Sequence, residues 1–169
     1  GIYVQYYKFL RYGISGYQEI CEHMMTHAQK IREGLKKMKF KGKPRFIILD
    51  DGNKNCLPVV TAMLNPECNF EYDDIDLQHA ISAHNWYVSG YKMNFEDPIT
   101  KKDKPIFTDQ DGSKTMFRVV VKNNINAIMV DNLIDSFGKT LEMLDSIEFK
   151  NKSNGALKGM HRKKNLFSK

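Results

Sequence analysis

The sequence predicts an α+β fold, a small and mainly antiparallel sheet covered by helices on one face. Three observations carry this. Apolar residues recur at helical spacing from Tyr6 to Met38 and again from Val130 to Ile147, the pattern of helices that each bury one stripe. Between these segments lie short β-branched runs, FIIL at Phe46–Leu49, VVTAML at Val59–Leu64 and MFRVVV at Met116–Val121. The first two runs are separated by Asp50–Pro58, which holds the turn-rich DDGNKN at Asp50–Asn55, a connection too short for a crossover, so they suit an antiparallel hairpin.

The first helix is expected over 1–39, its stripe made by Tyr6, Phe9, Leu10, Gly13, Tyr17, Ile20, Met24, Ala28, Ile31, Leu35 and Met38. Gly13, Ser15 and Gly16 weaken it and predict a bend or break there. FKGKP at Phe40–Pro44 ends it. The sheet follows over 45–121 with an inserted helix and loop. Asp73 or Asp74 caps that helix, which runs to about Asn85, and Tyr87–Tyr91 is a short strand. Lys92–Lys114 contains Pro98, Pro105 and Gly112 and reads as a long loop, a feature often functional in compact domains. Met116–Val121 is a buried strand. Asn126 caps a last helix over 126–147, with Val130, Leu133, Ile134, Phe137, Leu141, Leu144 and Ile147 as its stripe.

At 169 residues the chain suits one domain, expected over 1–147. The net charge of +6 lies wholly in residues 148–169, which hold six lysines, one arginine and one acid. Residues 1–147 are therefore neutral, which argues against nucleic acid as a partner, and the basic tail reads as disordered. Cys21, Cys56 and Cys68 are odd in number and form no CxxC pattern, which fits a reducing, cytoplasmic setting rather than a disulfide framework or zinc site. No run of about 18 apolar residues predicts a membrane span, and no export pattern opens the chain. The start at Gly1, directly in amphipathic sequence, is expected of a fragment.

Arg118 is the leading site candidate. An unpaired guanidinium is costly to bury, so an arginine inside a Val-rich strand is expected to meet an anion, either a protein acid such as Asp111 or a ligand carboxylate. Other candidates have plainer readings. His23 and His27 stand four apart on the first helix, a spacing that can share a metal, but no acid completes a known pattern, so a surface or half-buried pair is expected. Cys56 and Cys68 have no cation placed to activate a thiol. KGMHRKKNLFSK at Lys158–Lys169 mixes basic and apolar residues as a calmodulin target does, yet Gly155 and Gly159 interrupt any helix there.

Three stretches, taken in order, carry a family resemblance: QYYKFLRYGISGY at Gln5–Tyr17, NWYVSGY at Asn85–Tyr91 and FTDQDGSKTMFRVVVKNN at Phe107–Asn124. Over about Gln5 to Ile147 the chain resembles the C-terminal small domain of a glutamate decarboxylase of the group II, pyridoxal-phosphate-dependent family. The resemblance implies an aspartate-aminotransferase-like fold and conversion of L-glutamate to γ-aminobutyrate and CO2. It further implies that Arg118 holds the substrate α-carboxylate and that pyridoxal 5'-phosphate is bound mainly by an upstream domain. A homodimer or larger oligomer is implied for the intact enzyme, and a calmodulin-binding tail over 150–169 occurs in some eukaryotic members. SGYK at Ser89–Lys92 lacks the histidine that precedes the family's cofactor lysine, so Lys92 is disfavoured as a Schiff-base residue. No catalytic residue is expected in this segment, and the segment alone is expected to be inactive. The alternative is a non-catalytic binding or assembly domain derived from the same fold.

Overall fold

A computed structural model of the chain describes residues 1–50, 52, 56–105 and 114–153. Helix α1 (Ile2–Lys37) is broken at Gly13, whose φ of 57° and ψ of −168° are non-helical. That conformation is open essentially to glycine alone, which places the expected bend at this residue. The arm before it has no buried residue. After it, His27, Ala28, Ile31, Arg32 and Leu35 are buried.

FKGKP is more than a helix stop. Strands β1 (Lys39–Phe40) and β2 (Lys43–Pro44) form a small hairpin around Lys41 and Gly42, both at positive φ, as two-residue hairpin turns require. There follow β3 (Phe46–Ile48), β4 (Val59–Leu64), α2 (Asp74–Ile81), β5 (Ser89–Lys92), β6 (Asn94–Glu96), β7 (Asp103–Pro105), β8 (Thr115–Val120) and α3 (Ala127–Ser153). The main sheet has the order β3-β4-β8-β5, with every pairing antiparallel.

Two boundaries differ from expectation. The segment Lys92–Lys114 is not simply a loop, because β6 and β7 pair within it as a separate hairpin; β6 continues the alternation of Tyr91, Met93 and Phe95, whereas β7, Asp-Lys-Pro, carries no strand signal of its own. Helix α3 continues past Ile147 to Ser153, so the start of the basic tail is helical. No glycine or proline stands between Ile147 and Gly155, so nothing in that stretch opposes propagation of the helix.

The core lies between the sheet and the helices. Phe46 of β3, Phe117 of β8 and Phe137 of α3 meet with ring centroids 5.4 to 6.3 Å apart, and Val60, Ala62, Leu77 and Val130 close around them with no exposed surface. Gly34 admits α3 closely, for a Cβ there would stand 2.8 Å from Ile134 Cδ1. Asp73 caps α2 in a reciprocal capping box with Asp76, and Asn126 Oδ1 accepts from Met129 N at 2.9 Å at the start of α3. Both caps fulfil the sequence expectation.

Candidate functional site

Strand alternation divides the sheet into two unlike faces. On β8, Thr115, Phe117 and Val119 are buried while Arg118 and Val120 are exposed. Residues directly paired across antiparallel strands share a face. Thr61 of β4 and Ser89 of β5 both pair with Arg118, so all three project from the face opposite the helices. Tyr91, paired with Met116, joins them, and its ring centroid lies 5.8 Å from Arg118 Cζ.

The expectation that Arg118 is buried is thereby corrected. Helices cover only one face of the sheet, and Arg118 occupies the alternate register, where its guanidinium keeps access to solvent. Desolvation therefore does not force an ion pair. No carboxylate among the described residues pairs with it, and Asp111 lies outside those residues.

Lys92 sits in the same strand as Tyr91 but one residue on. It pairs with Thr115, a residue of the helix-covered face, so Lys92 and Arg118 leave the sheet on opposite sides. An aldehyde cofactor joined to Lys92 would sit away from the Arg118 guanidinium, and Lys92 is itself exposed at the sheet edge. Lys92 and Arg118 therefore do not face one common site on this sheet.

Behind the open face, α2 clamps β5. Gly90 N donates to Gln78 Oε1 at 2.5 Å, and a Cβ at Gly90 would stand 2.6 Å from the Asp74 carbonyl oxygen. Only glycine permits this approach. The Asp74 carboxyl is buried, accepting from Leu64 N at 2.9 Å and from Thr115 Oγ1 at 2.8 Å. Burial raises its pKa to about 7, outweighing those two hydrogen bonds, which act to lower it.

Two further buried cations escaped the sequence reading. Arg32 is 2% exposed and bonds Asp50 through both Nε, at 2.7 Å, and Nη2, while Nη1 donates to Gln29 Oε1 at 2.7 Å. Asp50 also accepts from Thr61 N at 2.7 Å. Gly52, at a φ of +64°, lies against the guanidinium, and a Cβ there would meet Arg32 Cζ at 2.7 Å. Arg45 holds Asp145 through two bonds of 3.1 and 2.6 Å and packs its guanidinium near Phe40 and Phe70. The one available signal for Arg32 was its place between Ile31 and Leu35 in the apolar stripe.

His23 is exposed and His27 buried, with their rings 4.2 Å apart. Burial, His23 and Lys30 in turn lower the His27 pKa. Among the described residues no three metal-ligating side chains cluster, and no helix is long and apolar enough to cross a membrane. The calmodulin-like stretch lies outside the described residues from 154 onward.

No protein-family model matches the chain. A glutamate decarboxylase of Petunia hybrida is 24% identical over 146 residues, covering 86% of this chain and 25% of its own length. A probable glutamate decarboxylase gamma of Listeria innocua is 33% identical over 89 residues, 53% of this chain and 18% of the relative. Among solved structures, a Lactobacillus brevis glutamate decarboxylase superposes with a TM-score of 0.65 at 25% identity, over 83% of this chain and 27% of that one. The chain thus spans about a quarter of the length of the curated relatives it matches. In sequence and in its α+β fold alike, it resembles the glutamate decarboxylases over that quarter of their length.

Proposed function

We propose that this chain is the carboxylate-binding portion of a glutamate decarboxylase, with Arg118 as the clamp for the substrate α-carboxylate. One observation carries the reading: in a chain whose relatives are glutamate decarboxylases, a solvent-accessible guanidinium stands on a central strand of the sheet's uncovered face. A guanidinium stays charged at every relevant pH and meets a carboxylate with two parallel hydrogen bonds. Such a clamp orients the scissile bond and leaves the bond breaking to other groups. Pyridoxal phosphate, held by residues other than these, would supply the electron sink. On this reading the 169 residues alone do not decarboxylate, and the working enzyme is a cytoplasmic oligomer acting on L-glutamate.

The test is a chimera in which this chain replaces the matching quarter of the Lactobacillus brevis enzyme. With an active parent chimera, Arg118→Ala should lose about 1.5 to 3 kcal/mol of transition-state binding, the strength of hydrogen bonds to a charged group. Arg118→Lys should recover little, because an ammonium cannot reproduce the fork. Normal turnover with Arg118→Ala would refute the clamp.

A second reading, a non-catalytic assembly domain, draws on the arm before Gly13. Ile2, Tyr3, Val4, Tyr6, Tyr7, Phe9 and Leu10 are each more than half exposed, and only Gln5, Lys8 and Arg11 form a polar stripe. So wide an apolar surface is suited to burial against a partner. Borohydride reduction of the chain with pyridoxal phosphate tests both readings at once: stoichiometric labelling of Lys92 would contradict each of them.

A further inference from the structure

We propose that Tyr91 is the positioning residue for Arg118, its ring holding the guanidinium over the open sheet face in readiness for a carboxylate. The role of the carboxylate rests on the clamp reading above; the holding itself does not. An arginine on an exposed sheet face ordinarily samples many rotamers, and whatever narrows them lowers the ordering cost of binding. Here Tyr91 stands diagonal to Arg118 across the β5–β8 pair, since Ser89 is directly opposite Arg118 and Tyr91 is opposite Met116. Diagonal neighbours are within reach for long and aromatic side chains. The separation of 5.8 Å between Cζ and the ring centroid lies within the range over which a ring face attracts a cation.

The ring is in turn held from behind. Gly90 is pressed against the Asp74 backbone and bonded to Gln78, so β5 can neither slip nor rotate at that point. A one-residue slip would send Tyr91 to the helix-covered face. Tyr91 is half-buried while Arg118 is exposed, an arrangement in which the ring is the fixed partner and the guanidinium the mobile one. On the other flank the directly opposed residue is Thr61, which carries no charge to compete. Among the described residues no hydrogen bond or ion pair occupies the guanidinium, which stands near the ring.

Nuclear magnetic resonance on the 15N-labelled chain tests this, with the Arg118 Nε–H signal assigned by its loss in Arg118→Lys. In the parent and in Tyr91→Phe, that signal should show a ring-current shift and restricted motion. In Tyr91→Leu both should vanish, and glutarate, used as the dicarboxylate probe, should bind Arg118 about two- to five-fold more weakly, the usual strength of such a contact at an exposed site. Tyr91→Ile, a β-branched residue suited to an edge strand, serves as a second ringless variant should leucine disturb the β5–β8 amides. An Arg118 signal indifferent to Tyr91→Leu and Tyr91→Ile would overturn the inference. Its fate is separable from that of the clamp. Tyr91-dependent ordering without glutarate binding removes the clamp and keeps the positioning role; glutarate binding that ignores Tyr91 does the reverse.

Discussion

Asp74 and Thr115 bind each other twice: the Asp74 amide donates to Thr115 Oγ1 at 3.2 Å, and that hydroxyl donates to Asp74 Oδ2 at 2.8 Å. With Leu64 N on the other oxygen, a single buried carboxyl ties α2 to the ends of β4 and β8. The helix that pins β5 is therefore anchored through a group whose charge depends on pH.

In the folded chain Asp74 stays protonated up to about pH 7, whereas an unfolded aspartate ionises near pH 4. Between those values the folded state holds the extra proton, so stability should fall as pH rises from about 4 to 7 and level off above. The total is on the order of 4 kcal/mol. His27 acts in the opposite sense: its lowered pKa means that stability is lost as pH drops below about 6.5. Asp74→Asn, compared with the parent by urea unfolding at pH 5 and pH 8, isolates the first effect. From pH 5 to pH 8 the parent should lose stability relative to the substituted chain; an equal change in both would count against a neutral Asp74.

Arg32 and Asp50 should respond unequally to substitution. Asp50→Ala strands a guanidinium that is 2% exposed, and breaking a buried pair in this way costs about 3 to 5 kcal/mol. Arg32→Met leaves Asp50 its bond from Thr61 N and access to solvent, so it should cost less. Chemical denaturation of both variants gives the order, and the reverse ranking would show that the aspartate is the dependent partner.

Gly90→Ala places a methyl group 2.6 Å from the Asp74 carbonyl oxygen, a backbone atom that cannot swing aside. A loss of about 1 to 3 kcal/mol follows from overpacking, together with displacement of β5. Hydrogen exchange of the β5 and β8 amides should rise in step. A variant as stable as the parent would mean that α2 and β5 separate freely.

The arm before Gly13 should govern self-association. Tyr3→Glu with Leu10→Glu puts charge on one flank of its apolar surface without touching the core, since neither residue is buried. Sedimentation velocity at tens of micromolar protein should show less oligomer than the parent, with the melting temperature unchanged. Identical profiles would assign the arm no part in assembly.

Much of the fold is legible in the sequence because it follows from local chemistry. The helical stripe of Ala28, Ile31 and Leu35, the β-branched run VVTAML, the Asp73 and Asn126 caps and the break at Gly13 each state their conformation within a few residues. What the chain alone could not reveal is which side of the sheet stays bare. Arg118 and Phe117 are adjacent in an apolar strand, and only the one-sided placement of the helices buries the phenylalanine and exposes the arginine. The same holds for Lys92 and Tyr91, whose opposite faces depend on the β5–β8 register. Arg32 lies in an apolar stripe, yet its partner Asp50 is 18 residues away, beyond any local pattern. Local sequence thus determined the elements and their ends, and tertiary packing decided which charges are buried, which are paired and which are offered to a ligand, because desolvation and pairing depend on neighbours that the chain brings together only on folding.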